Sequence, residues 1–282
     1  MWLKNVYLKT LRDHRAGALA WGIFPGLLMT ITLTQFEQIV GSPEQRGALL
    51  ALAEQFAWYE APVGIAQPGG FVTFRLNPLL AILPSVWMLL AASGQLRGDE
   101  ERGALDLVLA APLTRTRVVL EKLAALATAL VVFALLLGTI VAFAGSAARA
   151  EFSALDAYLF ALNLALTAGV YGAIALLVSQ FVSERSTAAG VTGGILALSF
   201  LLHSTARVAP GWEWLAYVSP LYYSGLTKPL VPEVGVTPAA MLVLALLIGL
   251  CAALSAWLFT RRDLGFALRL LPVGAPTGRT GD

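Results

Sequence analysis

The sequence predicts an all-α integral membrane protein with six transmembrane helices. Of its 282 residues, 58% are hydrophobic and only 13% are charged, whereas a soluble domain carries about 25% charged residues. The mean hydropathy is +0.75, and the apolar residues form long blocks separated by short polar connections. Surplus apolar surface of this kind needs lipid around it, which excludes a soluble enzyme.

Six apolar blocks are long enough to cross a bilayer, because a spanning helix needs roughly 20 mainly apolar residues. They cover residues 16–35, 79–96, 118–145, 156–182, 187–207 and 238–260. Blocks of Leu and Ala show no alternation with a period of two, so helices are predicted and not strands. We expect a single membrane domain over residues 1–270, followed by a disordered tail over 271–282 that is rich in Gly and Pro.

The basic residues predict which side of the membrane holds the termini. An even number of spans places both termini on one side, and cytoplasmic connections retain positive charge. The terminal segments and the second and fourth connections hold 14 of the 19 Lys and Arg residues. We therefore expect both termini in the cytoplasm and the chain in the cell membrane. The net charge of +2 is too small to predict nucleic acid binding.

The segment before the first span is amphipathic. Its apolar residues, Trp2, Leu3, Val6, Tyr7 and Leu11, recur at helical spacing, and its polar residues take the opposite face. This pattern favours an amphipathic helix lying in the membrane interface. The alternative is a helical extension of the first span.

Two outer segments have structure of their own. Residues 36–78 are long for a plain connection, and Ser42, Pro43 and Gln45 form a helix-start signal. The apolar stripe that follows this signal consists of Leu49, Leu52, Ala53 and Phe56. We expect a short amphipathic helix that caps the outer mouth. Before the last span, residues 208–237 carry several Trp and Tyr side chains, which prefer the membrane interface, and this predicts a short re-entrant-like segment.

The chain holds no recognisable energy source or catalytic centre. A phosphate-binding loop needs Gly before Lys, and none of the four lysines follows a glycine. The single cysteine and the two histidines, which lie in different blocks, form no zinc site of the usual spacing. The sequence therefore predicts no catalytic residue, metal or cofactor in this chain, which is not expected to be an enzyme.

Polar and small residues inside the spans have two interpretations each. Asn163 and Thr167 are the strongest polar pair in mid-membrane, and we favour an interhelical hydrogen bond over contact with a transported solute. Gly190 and Gly194 are spaced as a small-residue packing motif. We favour packing within one chain, and an interface between two copies is the alternative.

The second connection, Gly98–Lys122, carries the most informative pattern. Its acidic residues Asp99, Glu100 and Glu101 suit a helix N-terminus, where carboxylates favour the positive end of the helix dipole. Apolar residues then recur at spacings of three and four until Pro112 ends the pattern. This predicts a short cytoplasmic helix within residues 98–117. Its apolar ridge either binds a partner or lies in the lipid interface.

This pattern resembles a known family. An acidic pair, then Gly-Ala-Leu-Asp, a leucine-rich turn, Ala-Ala-Pro, a basic segment and Glu-Lys are similar to the permease subunits of ATP-binding cassette (ABC) exporters of the ABC-2 type. A segment like Ser-Pro-Leu-Tyr precedes the last span in that family, and residues 219–223 match it.

The resemblance implies a coupling role for residues 100–112. A separate cytoplasmic ATPase subunit would bind ATP and Mg and would receive this segment in a groove. The implied contact residues are Glu100 and Glu101 as polar contacts, Leu105 and Leu109 as apolar anchors, and Gly103 and Pro112 within the same motif. The resemblance also implies a second permease copy, as a homodimer or a related heterodimer, and a pathway for export of an apolar or amphipathic solute. Membrane lipid is the other expected partner.

Two other classes of function remain alternatives at this point. An ion-coupled carrier or channel would act without an ATPase, but such proteins normally place ionisable groups in mid-membrane, and the middles of these blocks are nearly free of them. A membrane enzyme or an assembly scaffold would need a polar cluster facing one membrane surface. The sequence supplies no such cluster that can be assembled from its motifs.

Overall fold

A computed structural model describes residues 5–101 and 114–261. These residues form nine α-helices and one short 3₁₀ helix, with no β-strand among them. In chain order the α-helices are α1 (Val6–Thr34), α2 (Phe36–Val40), α3 (Pro43–Gln55), α4 (Pro68–Glu101), α5 (Arg115–Ala147), α6 (Ala154–Val178), α7 (Arg185–Val208), α8 (Pro220–Gly225) and α9 (Pro238–Arg261). The 3₁₀ helix covers Glu213–Val218.

The six predicted spans are confirmed. Among the described residues, α1, α4, α5, α6, α7 and α9 are long and apolar enough to cross a membrane. Because consecutive spans alternate in direction, Asn5 and Arg261 lie at one face of the bundle, which we call the terminal face. The carboxyl end of α4 and the start of α5 lie at this face too. We call the opposite side, with residues 35–67 and 209–237, the distal face.

The first span corrects one expectation. From Val6 onward the amphipathic segment is not a separate interfacial helix, because α1 runs without interruption from Val6 to Thr34, whereas Trp2 and Leu3 lie outside the described residues. Its 29 residues make a helix about 43 Å long at 1.5 Å per residue, which exceeds the roughly 30 Å hydrocarbon core. The first turns are therefore a helical extension of the span, which is the alternative that the sequence left open.

The second span is longer than predicted at both ends. Helix α4 begins at Pro68, so residues 68–78 belong to the span and not to the connection before it. Pro78 lies inside the helix, and neighbouring helices and side chains can satisfy the backbone groups that such a proline frees. At the other end α4 includes Asp99–Glu101, which the sequence placed at the start of a new helix. Gly98 costs a helix only about 1 kcal/mol, too little to end it.

Helix α6 is the centre of the bundle. Of its most apolar stretch, 72% is buried inside the protein, against 17% for α9, and α6 packs on α4, α5, α7 and α9. Small residues make this possible: a Cβ added to Gly172 would lie 2.7 Å from the Cγ of Met88 on α4. Helices in lipid associate through close packing of this kind, because the hydrophobic effect does not drive them together there.

The predicted distal helix is present as α3. Its start has the predicted capping box, in which the Ser42 hydroxyl accepts from the Gln45 amide and the Gln45 side chain accepts from the Ser42 amide. The predicted apolar stripe is only half right. Ala53 is buried in a small second core and Leu49 packs against it, whereas Leu52 and Phe56 are exposed.

The segment before the last span enters the bundle. In α8, Ser224 is buried, and its carbonyl oxygen accepts a hydrogen bond from Nδ2 of Asn163 at 2.9 Å. Asn163 is the tenth residue of α6, about 14 Å along the helix from its distal end. The segment therefore reaches well below the distal ends of the spans, as the predicted re-entrant arrangement requires.

Candidate functional site

In the sequence, the predicted coupling residues run from the end of α4 toward the start of α5. Glu100 and Glu101 are in the last turn of α4. Gly103, Leu105, Leu109 and Pro112 lie outside the described residues, so the docking ridge stays a prediction. The structure does describe the helix ends on either side of these residues, and these ends are joined to their neighbours by specific contacts.

A buried lysine joins α5 to α4. Lys122, in the second turn of α5, is only 3% exposed, and its ammonium group donates to the main-chain carbonyl of Gln95. A carbonyl oxygen has a second lone pair beyond the one used inside its helix, so this bond does not interrupt α4. The Gln95 side chain in turn bonds the His14 ring of α1. Three spans are thus connected through one residue of α4.

The neighbouring glutamate joins α5 to the start of α1. Glu121 Oε2 accepts from the amide of Tyr7 at 3.1 Å, and Glu121 Oε1 accepts from Nε of Arg117 at 2.8 Å. The Tyr7 amide is one of the first four of α1, which have no partner inside the helix. A carboxylate is favoured there because it also meets the positive end of the helix dipole. The Tyr7 hydroxyl adds a 3.0 Å bond to Thr128.

Helix α7 is fastened to the same part of α4. An Nη of Arg185, the first residue of α7, donates to the carbonyl of Leu90 at 3.3 Å. The guanidinium lies over Gly94, where an added Cβ would be 3.0 Å from Nε of Arg185. The absence of a side chain at Gly94 therefore makes room for this contact. The last turns of α4 before the predicted coupling segment are held by α1, α5 and α7 together, and we call these contacts the terminal junction.

A groove lies beside the terminal junction. It has a volume of about 470 Å³ and is lined by Tyr7, Arg117, Leu120 and Glu121, with Thr114, Thr116 and Ala124. Tyr7, Arg117 and Glu121 also make the bonds between α1 and α5. Anything that enters this groove would therefore contact the side chains that join the two helices.

The polar pair in mid-membrane is brought together with α8. Asn163 and Thr167 are fully buried. Asn163 Nδ2 donates to the carbonyls of Ser224 and Thr227, at 2.9 and 3.3 Å. The Thr167 hydroxyl donates to the Asn163 carbonyl at 2.8 Å and lies 2.8 Å from Oγ of Ser224. These bonds fix the re-entrant segment on α6, and contact of either side chain with a solute stays a prediction.

The two glycines of α7 do not pack within the chain. Gly190 and Gly194 are exposed, and a Cβ added to either would meet nothing within 4 Å. This corrects the preferred interpretation of packing inside one chain. The reason is that α7 turns this face away from α4 and α6, its main neighbours among the spans. Contact with a second copy stays a prediction.

Most residues of the terminal junction were not predicted from the sequence. Lys122 was identified only as the end of a motif, although a Glu-Lys pair inside an apolar block is unusual enough to indicate a buried role. No pattern in the neighbouring sequence pairs Glu121 and Lys122 with Tyr7, His14 or Gln95, because those three residues lie on other helices. Among the described residues, no group of three His, Cys, Asp or Glu side chains is arranged to hold a metal ion.

The whole bundle corresponds to one known family. A family model with the description "ABC-2 family transporter protein" matches residues 5–264, a range that includes all six spans and therefore the four helices of the terminal junction. No curated protein is similar enough in sequence to count as a match. The matched range covers more than nine-tenths of the chain, and the fold has the six spans that the apolar blocks of the sequence predicted. The chain therefore belongs to the ABC-2 transporter family and is a membrane permease subunit of an ABC transporter.

Proposed function

We propose that this permease forms the pathway by which an apolar or amphipathic solute, such as a drug, a lipid or a peptide-like molecule, is exported. Separate cytoplasmic ABC ATPase subunits, which bind ATP and Mg, supply the energy, and this chain contributes no catalytic residue. The observation that supports coupling to such a partner is the terminal junction. It joins α1, α5 and α7 to the part of α4 that leads into residues 98–117.

The junction explains how a docked segment can move several spans. A force on residues 98–117 acts on the ends of α4 and α5. Lys122 and Glu121 pass it to α4 and to α1, and Arg185 passes it to α7. Packed helices move as rigid bodies, so a displacement at the terminal face reaches the distal face.

Docking is tested by changing the apolar ridge. Leu105→Asp with Leu109→Asp places two charges where apolar anchors are proposed, and we expect this variant to lose the ATPase subunit during co-purification. The matched control is Leu50→Asp with Leu52→Asp, because these leucines are exposed on α3 at the distal face. Undiminished binding by the first variant would contradict the docking role.

The proposed orientation places the terminal face in the cytoplasm. It is supported by the 14 basic residues assigned to that side, against five on the other. Single cysteines at Glu44 and at Arg115, on a Cys251→Ser background, test it with a membrane-impermeant maleimide on intact cells. We expect labelling at position 44 only. Labelling at position 115 would show that the terminal face lies outside the cell, where a cytoplasmic ATPase could not bind residues 98–117.

A second permease copy is proposed to pack on α7. The support is the open, small-residue face at Gly190 and Gly194, since such faces let helices approach closely in lipid. We expect Gly190→Leu with Gly194→Leu to lower the dimer fraction in cross-linking. Gly249→Leu on α9 is the matched control, because Gly249 is an exposed helical glycine with nothing nearby. The same experiment with tagged copies distinguishes a homodimer from a heterodimer.

The alternative of an ion-coupled carrier or channel makes a different prediction. Such a protein would transport in liposomes that contain the purified chain and no ATPase. We expect no transport under those conditions and recovery when the ATPase subunits are added with ATP.

A further inference from the structure

A buried charged cluster lies at the distal face, far from the terminal junction. Glu60, between α3 and α4, accepts through Oε1 from Nζ of Lys228 at 2.7 Å and from an Nη of Arg207 at 3.1 Å. Its other oxygen, Oε2, accepts from Nδ2 of Asn77 on α4 at 2.9 Å. One carboxylate therefore connects the segment after α3, the start of α4, the end of α7 and the connection that leads to α9.

The carboxylate is charged at neutral pH. Burial by itself raises the pKa of Glu60, but the attraction of Lys228 and then of Arg207, with the hydrogen bonds from Asn77 and Lys228, outweighs it. The pKa of the carboxyl group therefore lies below its ordinary value. The cluster contains one negative and two positive charges, so loss of Glu60 would leave two cations without a counter-charge.

Lys228 and Glu60 lie on parts of the chain that are packed together. The connection that contains Lys228 touches the start of α4 through its backbone, since a Cβ added to Gly69 would lie 1.9 Å from the carbonyl oxygen of Leu230. Only glycine permits such an approach. We call residues 56–70 and 228–235 the distal cover.

Arg207 reaches the cluster from outside the distal cover. It lies on α7, of which only 22% of the most apolar stretch is buried. The Arg207 side chain is 19% exposed, against 6% for Lys228 and 2% for Glu60, and its bond to Glu60 is the longest of the three. The His203 ring, one turn earlier, accepts from Nε of Arg207 at 3.1 Å and orients the guanidinium. The Arg207–Glu60 ion pair thus connects α7 to the distal cover.

A small cavity lies beside the ion pair. Its volume is about 20 Å³, and it is lined by Asn77 and Ala81 of α4, Phe200 and His203 of α7, and Ser224 of α8. This space holds about one water molecule. Glu60 and His203, which both bond Arg207, line the cavity, so separation of Arg207 from Glu60 would release one of its walls at the boundary between α4 and α7.

We propose that the Arg207–Glu60 ion pair is a latch that closes the distal end of the α4–α7 boundary and opens during transport. The inference rests on the proposed transport function and on the distal face being the outer side. Opening leaves no isolated buried charge, because Glu60 keeps Lys228 and the partly exposed Arg207 can turn toward water. The latch can therefore open at the modest cost of a partly solvated ion pair, whereas separating Glu60 from Lys228 would be far more expensive.

The latch is tested by accessibility of the cavity behind it. Ala81→Cys on a Cys251→Ser background places a small, buried reporter in the cavity wall. The purified protein in lipid nanodiscs is treated with a charged methanethiosulfonate reagent, and labelling is followed by mass spectrometry. We expect slow labelling that Arg207→Gln accelerates roughly fivefold or more. Arg207→Lys should restore slow labelling, and Arg75→Gln, at an exposed arginine of α4, should leave the rate unchanged.

A second measurement shows whether the latch moves in the working complex. With the ATPase subunits bound, we expect ATP and Mg to raise the labelling rate of the intact latch and to change the already high rate of Arg207→Gln little. An unchanged rate in Arg207→Gln, or an intact latch that labels equally with and without turnover, would overturn the proposal and leave a static cluster. Failure of the ATPase to co-purify would contradict the proposed function instead, and the isolated protein would still decide whether Arg207 closes the cavity.

Discussion

Within residues 5–101 and 114–261, one buried lysine lies at each face of the membrane bundle, and the two make different contacts. Lys122, at the terminal junction, donates to a main-chain carbonyl of α4. Lys228, in the distal cover, donates to the carboxylate of Glu60. The carbonyl is present whatever side chain occupies position 95, whereas the carboxylate exists only while residue 60 is acidic. A substitution can remove the terminal contact only at Lys122, whereas the distal contact can be removed at either Lys228 or Glu60.

This difference matches what each face is proposed to do. A joint that transmits force gains from an acceptor that cannot rearrange, because the carbonyl belongs to a helix backbone. A latch gains from side chains, since side chains can change partner without unfolding a helix. Four predictions test whether the two faces differ in this way.

The largest effect is expected from Glu60→Gln. It removes the one negative charge that faces Lys228 and Arg207 and leaves the buried ammonium group of Lys228 without a counter-charge. We expect a loss of about 3–5 kcal/mol in stability, the usual result of breaking a buried ion pair from one side. It is measured as a lower unfolding temperature of the purified protein in detergent. Glu54→Gln, at an exposed position of α3, should unfold like the parent, and equal unfolding of the two variants would contradict the cluster's role.

A smaller effect is expected from Lys122→Met. The change removes the ammonium group, but the Gln95 carbonyl remains in its helix, so this acceptor keeps its place in the backbone of α4. We expect a loss of about 1.5–3 kcal/mol, as for a hydrogen bond to a charged group. Unfolding temperature is again the measurement, with Lys9→Met at an exposed position as the control. A loss as large as that of Glu60→Gln would show that the two lysines are held alike.

A still smaller loss of stability is expected from Tyr7→Phe. It removes the hydroxyl that lies 3.0 Å from Thr128, but the Tyr7 amide keeps its bond to Glu121, because that donor belongs to the main chain. We expect about 0.5–1.5 kcal/mol. In a double-mutant cycle with Thr128→Val, the two changes together should cost no more than their larger single effect. Full additivity would mean that the two hydroxyls do not interact.

The smallest effect is expected from pH within the neutral range. The pKa of Glu60 is lowered from its ordinary value of 4.5, so its stabilising contribution is complete above that value and is lost as the pH falls below it. The difference in unfolding temperature between the parent and Glu60→Gln should be constant from about pH 8 to about pH 5.5 and should shrink in more acid solution. A midpoint near neutral pH would contradict the assignment of this pH dependence to Glu60.

Features that depend on residues close together in the sequence were predicted well. The start of α3 follows from Ser42, Pro43 and Gln45, which lie within one turn and form the capping box without help from the rest of the chain. The spans follow from composition over 20 or so residues, since any such apolar block in lipid must satisfy its own backbone.

Helix boundaries near the membrane surface were predicted less well. The sequence ends the first connection at Pro78 and starts a new helix at Asp99, but α4 continues through both positions. Proline and glycine end helices in water more readily than in a bundle whose neighbours supply packing and hydrogen bonds. Tertiary contacts, such as those of Arg185 and Lys122 with α4, decide how far this helix extends.

By itself, the sequence determined that the chain is a bundle of six membrane helices with a permease-like connection between the second and the third. Composition and local spacing suffice for that, because each apolar block forms its helix independently. Only the tertiary structure decided which side chains meet. Glu60 and Lys228 are 168 positions apart, and Tyr7 and Glu121 are 114 apart, so no local pattern pairs them. Their contacts depend on how the helices pack, and helix packing is a property of the whole bundle.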